Sequence, residues 1–249
     1  MKSILPTIST GLVACSWALR EGVLLDLAGV GVVGAGRART VRRRSVEALA
    51  SRFAGDNAHG KQVARLARQL YDAVAPDLGL PASGRELVEF AGLLHDIGHA
   101  IDHDRHHRHS CYLIRNGELL GFDAVEIEVL AQAARGHRKQ SPKVNDPELR
   151  TMPAGARRLV RALAALVRVA DALDRTRFGV VRDLNVREHG GRLVIGVDPG
   201  KEDAELELWA AERRVDLLAR LLDRPVVLRL EPNRAAATAS QPMRAASGR

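Results

Sequence analysis

The stretch LLHDIGH, residues 93–99, closes an apolar helical pattern with an adjacent histidine and aspartate, His95 and Asp96. An aspartate is almost never fully buried unless a partner compensates its charge. A divalent metal ion compensates both side chains, because imidazole and carboxylate groups are both ligands for such ions. The stretch therefore predicts a metal site, and we expect the rest of the chain to bring further ligands to it.

Two more polar residues fall on the apolar faces of predicted helices, His59 and Asp171. Taken alone, His59 would be a hydrogen-bonded core histidine. A lone aspartate on such a face is costly unless it is paired, and a salt bridge from Asp171 to Arg168 or Arg175 is the alternative to metal binding. Because His59 and Asp171 occur in one chain with the pair at 95–96, we interpret all four as metal ligands.

Four ligands from three helices can close around one ion, as metal sites in helical bundles do. His109 and His137 flank helices next to this tetrad and are candidates for a second metal position. The alternative for His109 is a solvated polar turn that also contains His103, His106 and His107.

The charge balance favours an anionic partner. The net charge is +8 and the isoelectric point is near 10.3, so a phosphorylated small molecule or polyphosphate is expected. Aromatic residues are only 3% of the chain, which argues against nucleic-acid recognition by base stacking. Arg138 and Lys139, on the loop after His137, are predicted to bind the substrate phosphate; ordinary solvated surface is the alternative.

The periodicity predicts a mainly α-helical domain. Helices are expected from Thr40 to about Phe53, and from a cap at Asp56 to just before Pro76. A third should begin at a capping box of Ser83 and Glu86. Further helices are expected from the histidine-rich turn to residue 116, from a capping box at 123 and 126, and over about 154–175.

The character changes after residue 177. Alternating segments at 180–186 and 193–197 flank Gly190-Gly191 and predict a hairpin. An amphipathic helix at about 203–222 and a strand at 226–230 complete a small β-β-α-β appendage. We therefore divide the chain into residues 1–39, an N-terminal helix and glycine-rich linker; 40–177, the helical metal domain; 178–231, the appendage; and 232–249, a disordered tail.

The N-terminal region carries two weak signals. The linker matches G-x-G-x-x-G, but no strand precedes it, so it does not indicate a nucleotide loop. Residues 12–15 resemble a short lipoprotein signal with an interrupted apolar part. No run approaches the roughly 18–20 apolar residues of a membrane span, and the two cysteines form no short-spaced pair. We expect a cytoplasmic protein.

The order of the tetrad resembles the HD superfamily of metal-dependent phosphohydrolases. The strings LLHDIGH (93–99), HHRHSCYLIRN (106–116), LGF (120–122), GHRK (136–139) and RVADALD (168–174) narrow the likeness. They resemble the C-terminal region of the exopolyphosphatase / guanosine pentaphosphate phosphohydrolase family over about residues 16–231.

The resemblance implies an HD-type helical fold and metal-dependent hydrolysis of a phosphate ester or anhydride, with His95 and Asp96 as catalytic residues. One or two ions are expected per chain, of Mn, Fe, Mg or Zn. Residues 18–26 look like the last helix of the actin-like half with which the family's catalysis is associated, so the chain is expected to lack that half. The alternative is a non-catalytic module that binds polyphosphate or a nucleotide, or docks with a separately encoded actin-like half. A homodimer is a further expectation.

Overall fold

The computed structural model describes residues 35–138 and 146–231 of the 249-residue chain. Residues outside these ranges include most of the predicted N-terminal helix and linker, the signal-like residues 12–15, the predicted tail at 232–249 and Lys139, for which phosphate binding was predicted. From Arg42 onward the described residues form one compact unit.

Helices make up the first part of the described chain, as predicted. They are α1 (Ala35–Ala54), α2 (Ala58–Leu78), α3 (Gly84–Leu94), a short 3-10 helix (Ile97–Ala100), α4 (His106–Asn116), α5 (Ala124–Gly136), α6 (Pro147–Arg150) and α7 (Ala154–Ala172). Helices α2, α3, α5 and α7 pack against one another, and α4 lies on α5. Many contacts are between small side chains, including the fully buried Ala91, Ala131 and Ala165, which lets the helix axes approach closely.

Several predicted helix ends were wrong. Helix α1 begins at Ala35, before Thr40, and Asn57 rather than Asp56 caps α2. Ser83 has helical backbone angles and makes no capping hydrogen bond. The capping box of Asp123 and Glu126 is confirmed in both directions.

Helix α2 runs past Pro76 to Leu78, whereas the sequence predicted an end before the proline. A proline beyond the first turn of a helix removes one backbone hydrogen bond, and here the helix continues for only two residues after it. Gly79 follows with a left-handed φ of 53°, and its N–H bonds the carbonyl groups of Ala75 and Pro76. The N–H of the glycine cap therefore pairs carbonyl groups that the last turn would otherwise leave without a hydrogen bond.

The C-terminal part is a small α+β unit, as predicted. Strands β1 (Asp183–His189) and β2 (Arg192–Asp198) are antiparallel, and β2 pairs in parallel with β3 (Val226–Leu230). The hairpin turn is Gly190-Gly191, with φ of 58° and 70°, which is the conformation that a two-residue hairpin requires. The single helix predicted at 203–222 is instead two, α8 (Glu205–Glu212) and α9 (Asp216–Leu222).

Helix α7 ends at Ala172, three residues before the predicted end at Arg175. The side chain of Asp174 just beyond it bonds elsewhere, to His59 and to the N–H of Gly179. These contacts turn the chain out of the helix and toward β1. No described helix combines the length and apolar character needed to cross a membrane.

Candidate metal centre

The start of α2 is held against the end of α3 by two contacts. The side chain of Asn57 accepts from the Gly60 N–H at 3.1 Å and donates to the Leu93 carbonyl at 2.7 Å. Gly92 meets α2 with no room for a side chain, since an added Cβ would lie 2.6 Å from Ala64 Cα. The close approach brings the inner faces of both helices to one point.

Ser110 fixes α4 to the turn that follows α3. Its hydroxyl donates to the His95 carbonyl at 2.6 Å and accepts from the Gly98 N–H at 2.9 Å. A Cβ on Gly98 would overlap the backbone of α4 at His106 and Ser110. The glycine is therefore needed for close packing, and it brings the first turn of α4 next to Asp96.

His59, His95 and Asp171 form the first group of side chains that could hold a metal ion. Asp171 Oδ1 lies 3.3 Å from His59 Nε2 and 3.6 Å from His95 Nε2. The His95 side chain is fully buried and that of His59 is 9% exposed, whereas the Asp171 side chain is 34% exposed. The two histidines of the group are thus shielded from solvent, and solvent reaches the group at the aspartate.

Three imidazoles present the same nitrogen to the centre. His95 and His137 each place Nδ1 against the backbone carbonyl three residues earlier, at 2.8 Å for His95. His59 Nδ1 lies 2.7 Å from Oδ2 of Asp174, whose side chain is 1% exposed. Because carbonyl and carboxylate oxygens only accept, we assign a hydrogen to Nδ1, so that each ring in its neutral form has its lone pair on Nε2.

The free nitrogens supply a direct test of whether a metal fits. His59 Nε2 and His95 Nε2 are buried and have no hydrogen-bond partner. A buried polar atom left unpaired costs free energy. Two such lone pairs, both facing Asp171, are the arrangement that a divalent ion would satisfy, so the residues present fit a metal.

Asp96 extends the centre into two further groups. Its Oδ1 lies 3.6 Å from His95 Nε2, 3.7 Å from His137 Nε2 and 3.3 Å from His106 Nε2. Its Oδ2 lies 3.4 Å from His99 Nε2. A carboxylate with different histidines around its two oxygens has the geometry of a bridge between two metal positions.

Burial and charge set the protonation of these groups. Burial opposes ionisation of Asp96 and Asp171, but neighbouring histidines outweigh it and hold both pKa values well below the ordinary range. Burial and the charge of His95 lower the pKa of His137 to about 3. Burial also lowers the pKa of His95, but the carboxylates of Asp96 and Asp171 raise it to about 9. Most of the donors are therefore already in the deprotonated form that a metal requires.

Arg138 lies at the edge of this centre. Its Nη1 is 2.8 Å from His106 Nδ1, which is also 3.1 Å from the His103 carbonyl. The two contacts require opposite tautomers of His106. A bond to the carbonyl leaves Nε2 free for a metal, whereas a bond from Arg138 places the hydrogen on Nε2.

The structure brings together five of the six predicted ligands: His59, His95, Asp96, His137 and Asp171. Within the described residues, His109 belongs to none of the three groups, and His106 occupies the place expected for it. His106 shares an inner helical face with the buried Ser110 and Ile114, a four-residue spacing that was visible in the sequence.

Sequence reasoning also missed His99, Asp174 and Arg177. Asp174 follows Asp171 by three residues, a spacing that places both on one side of a helix end. Arg177 contacts Asp96 Oδ2 at 2.6 Å, but this contact depends on a left-handed turn for which a lone arginine gives no signal. Arg168, a suggested partner of Asp171, contacts Asp216 of α9.

Comparison with known proteins identifies the family of this chain. Residues 41–192 match the family described as Ppx/GppA phosphatase, domain III. A guanosine-5'-triphosphate,3'-diphosphate pyrophosphatase of Pseudoalteromonas translucida (strain TAC 125) is 30% identical over 61% of this chain and 29% of its own length. Proteins of the same name from Vibrio vulnificus (strain YJ016) and Vibrio parahaemolyticus serotype O3:K6 (strain RIMD 2210633) are 28% and 29% identical over 80% of this chain, and 40% and 38% of their own lengths.

The chain thus spans well under half the length of the curated relatives that it matches. The family match includes α2 to α5, α7 and the turns between them, and it contains every residue of the three groups that could hold a metal ion. Because this match covers more than half of the chain, the protein belongs to the Ppx/GppA phosphatase family through that family's domain III.

Proposed function

We propose that the centre is the active site of an HD-type, metal-dependent phosphohydrolase that cleaves a phosphate ester or anhydride. One observation carries the proposal: the buried, unpaired nitrogens of His59 and His95 both face the carboxylate of Asp171. A structural cluster of the same residues would be expected to pair these nitrogens.

The donor set favours particular ions. Imidazole nitrogens outnumber carboxylates in the three groups, with His59, His95, His99, His106 and His137 against Asp96 and Asp171. Such a set suits Mn, Fe or Zn better than Mg, which prefers oxygen ligands. A divalent ion would supply Lewis acidity toward a phosphoryl oxygen and toward water.

The residues of this chain would divide the remaining work. His59, His95 and Asp171 would hold one ion, and Asp96 would bridge it to a second held with His106, His99 or His137. In place of the predicted ligand His109, we propose His106. Arg138, released from His106 when that ring turns to a metal, would be free to neutralise substrate charge, and Lys139 is proposed for the same role.

The substrate class follows from charge and from the relatives. Excess positive charge attracts a polyanion, and the relatives are named for a guanosine polyphosphate. We therefore propose a nucleoside polyphosphate as the first substrate to test, with polyphosphate second. Action together with a separately encoded actin-like half, or as a homodimer, remains a proposal.

The test combines metal analysis with hydrolysis assays. The protein is freed of metal, reloaded with Mn²⁺, Fe²⁺, Zn²⁺ or Mg²⁺, and assayed on guanosine polyphosphates, diadenosine polyphosphates and polyphosphate. We expect turnover with at least one ion, and its loss in Asp171→Asn.

The control is His109→Ala, a histidine that lies on α4 beside the centre but outside its groups. It should retain metal and activity. If no substrate is turned over and Asp171→Asn binds the same compounds as tightly as wild type, the hydrolase proposal fails and a non-catalytic binding module replaces it.

A further inference from the structure

Arg177 lies on the turn between the helical part and the sheet, and its backbone is held in an unfavourable conformation. Its φ of 64° is in the left-handed region, where a residue with a side chain is disfavoured. Such a conformation persists only where the surroundings enforce it, and it is concentrated at ligand-binding and active sites.

The surroundings brace this turn from two sides. Asp174, which also orients His59, accepts from the Gly179 N–H at 2.8 Å and, through its carbonyl, from the Arg177 N–H at 3.0 Å. Thr176 donates from its N–H and hydroxyl to Glu207 of α8, at 3.1 and 2.6 Å, and the Glu207 carboxylate is buried. The turn is therefore anchored both to the metal centre and to the appendage.

The guanidinium that this turn presents reaches the centre itself. Arg177 Nη2 lies 2.6 Å from Asp96 Oδ2, the oxygen that also faces His99. The Asp96 side chain is 13% exposed, whereas that of Arg177 is 54% exposed. The arginine side chain thus covers the centre on the solvent side, and its outer face is exposed to solvent.

A metal on Asp96 Oδ2 would weaken this ion pair, because a divalent cation beside that oxygen repels the guanidinium, which lies 2.6 Å from the same oxygen. The braced backbone would keep the displaced guanidinium at the mouth of the centre. A planar guanidinium with free N–H groups binds phosphate in a two-point manner.

We propose that Arg177 is a phosphate-binding residue that exchanges Asp96 for a phosphoryl group of the substrate when the centre is loaded with metal. This inference rests on the proposed function, and it names the residue that recognises the anion. It also assigns a role to the appendage, since α8 fixes the turn through Glu207.

The test measures two affinities with opposite expectations. In Arg177→Gln, the Kd of the Mn²⁺-loaded protein for inorganic phosphate should rise about tenfold or more, because a charge-assisted contact is lost. The Kd for Mn²⁺ without phosphate should stay the same or fall, because Asp96 loses a competing cation. Arg177→Lys should restore part of the phosphate affinity, since it keeps the charge but loses the planar fork.

The matched control is Arg220→Gln, which removes another arginine that is 58% exposed and paired with a carboxylate, at 2.9 Å from Asp216. It should change neither Kd. Isothermal titration calorimetry gives both constants, and circular dichroism melting checks that the variants fold.

The inference is overturned if phosphate affinity in Arg177→Gln stays within twofold of wild type, or if metal affinity falls together with it, since a purely structural turn would weaken both. Wild-type protein that binds no phosphate when loaded with Mn²⁺ overturns it as well. Failure of the proposed function looks different: phosphate binding would depend on Arg177 while no phosphorylated compound is hydrolysed. If hydrolysis is seen, Arg177→Gln should raise KM more than it lowers kcat.

Discussion

Two polar clusters join the helices of this protein, one around Arg42 and one around Asp96, and they differ in how completely they are paired. Arg42 donates to Glu86 at 2.8 Å, to both oxygens of Glu126 at 2.7 and 2.9 Å, and to the Gly121 carbonyl at 2.8 Å. Its guanidinium carbon also lies 3.9 Å from the centre of the Phe122 ring. All three guanidinium nitrogens therefore have acceptors.

The cluster around Asp96 also brings several polar side chains together, yet His59 Nε2 and His95 Nε2 in it are buried without hydrogen-bond partners. Both clusters tie helices together, so position alone does not separate structure from function. What differs between these two clusters is the completeness of pairing. A cluster whose polar atoms are all hydrogen-bonded gains nothing from a further ligand. A cluster with buried, unpaired nitrogens is stabilised by a ligand that the protein chain does not supply.

Removal of a metal-facing carboxylate should have the largest effect. Asp171→Asn keeps the size of the side chain but removes the charge that faces His59 and His95. We expect the affinity for a divalent metal to fall more than about 100-fold, because loss of a partner outside the coordination shell already costs about 10–100-fold. Metal content after dialysis against a buffered ion, measured by mass spectrometry, checks this. Equal metal content in Asp171→Asn and wild type would remove the distinction between the two clusters.

Asp174→Asn tests whether the carboxylate that contacts His59 Nδ1 supports metal binding by His59. An asparagine can still accept from the Gly179 N–H, so the turn should persist, but it no longer offers a carboxylate to His59 Nδ1. We expect metal affinity to fall about 10–100-fold. Competition titration with a chromophoric chelator gives the constant. An affinity unchanged from wild type would mean that Asp174 serves only the turn and does not orient the ligand.

The sequence predicted most of the fold because its signals are local. The stripes of α2, α5 and α7, the Asp123–Glu126 capping box and the Gly190-Gly191 hairpin each depend on residues a few positions apart. The errors arose where a distant contact overrode the local signal. Ser83 and Glu86 did not form a capping box, and Glu86 accepts from Arg42 on α1 instead.

The same distinction explains the candidate site. Candidate ligands at positions on helical inner faces, such as His95 and Asp171, could be found from periodicity. His106 was missed because the sequence does not fix the residue at which α4 begins. The helix starts within a histidine-rich turn, and the choice of first residue decides which histidine faces the centre. Arg177 was missed because its contact with Asp96 depends on a left-handed residue and on Glu207, more than twenty-five positions away.

Acidity should affect the cluster around Asp96 through the two candidate ligands whose pKa is raised, His95 and His59. In the metal-free protein Asp96 and Asp171 raise the pKa of His95 to about 9, so this ring binds a proton over most of the neutral range. A metal requires that proton to leave. Metal affinity should therefore weaken by at least about tenfold per unit as pH falls below 9, since His59 adds to the slope at lower pH, and level off above 9. Titrations at pH 7, 8 and 9.5 in buffers of different ionisation enthalpy measure both the slope and the released proton, and a Kd independent of pH would contradict the prediction.

The smallest effect on metal affinity is expected from a change in the cluster around Arg42. Glu126→Gln removes the charge that Arg42 binds in a two-point manner, while a glutamine can still serve the capping box with Asp123. The Arg42 side chain is only 13% exposed, so the loss should lower the free energy of unfolding by about 1–3 kcal/mol. Metal affinity should stay within about twofold of wild type, because the change leaves the ligands of the other cluster in place.

Glu128→Gln is the matched control for this variant, since it lies on the same helix and also pairs with an arginine. Its partner Arg115 is 37% exposed, so water screens this pair more than that of Arg42, and its loss should cost less, about 1 kcal/mol. Urea unfolding of the metal-free proteins gives both values. If Glu126→Gln weakened metal binding as strongly as Asp174→Asn does, the two clusters would be one coupled network. The pairing of Arg42 would then be part of the metal site and not a separate support of the fold.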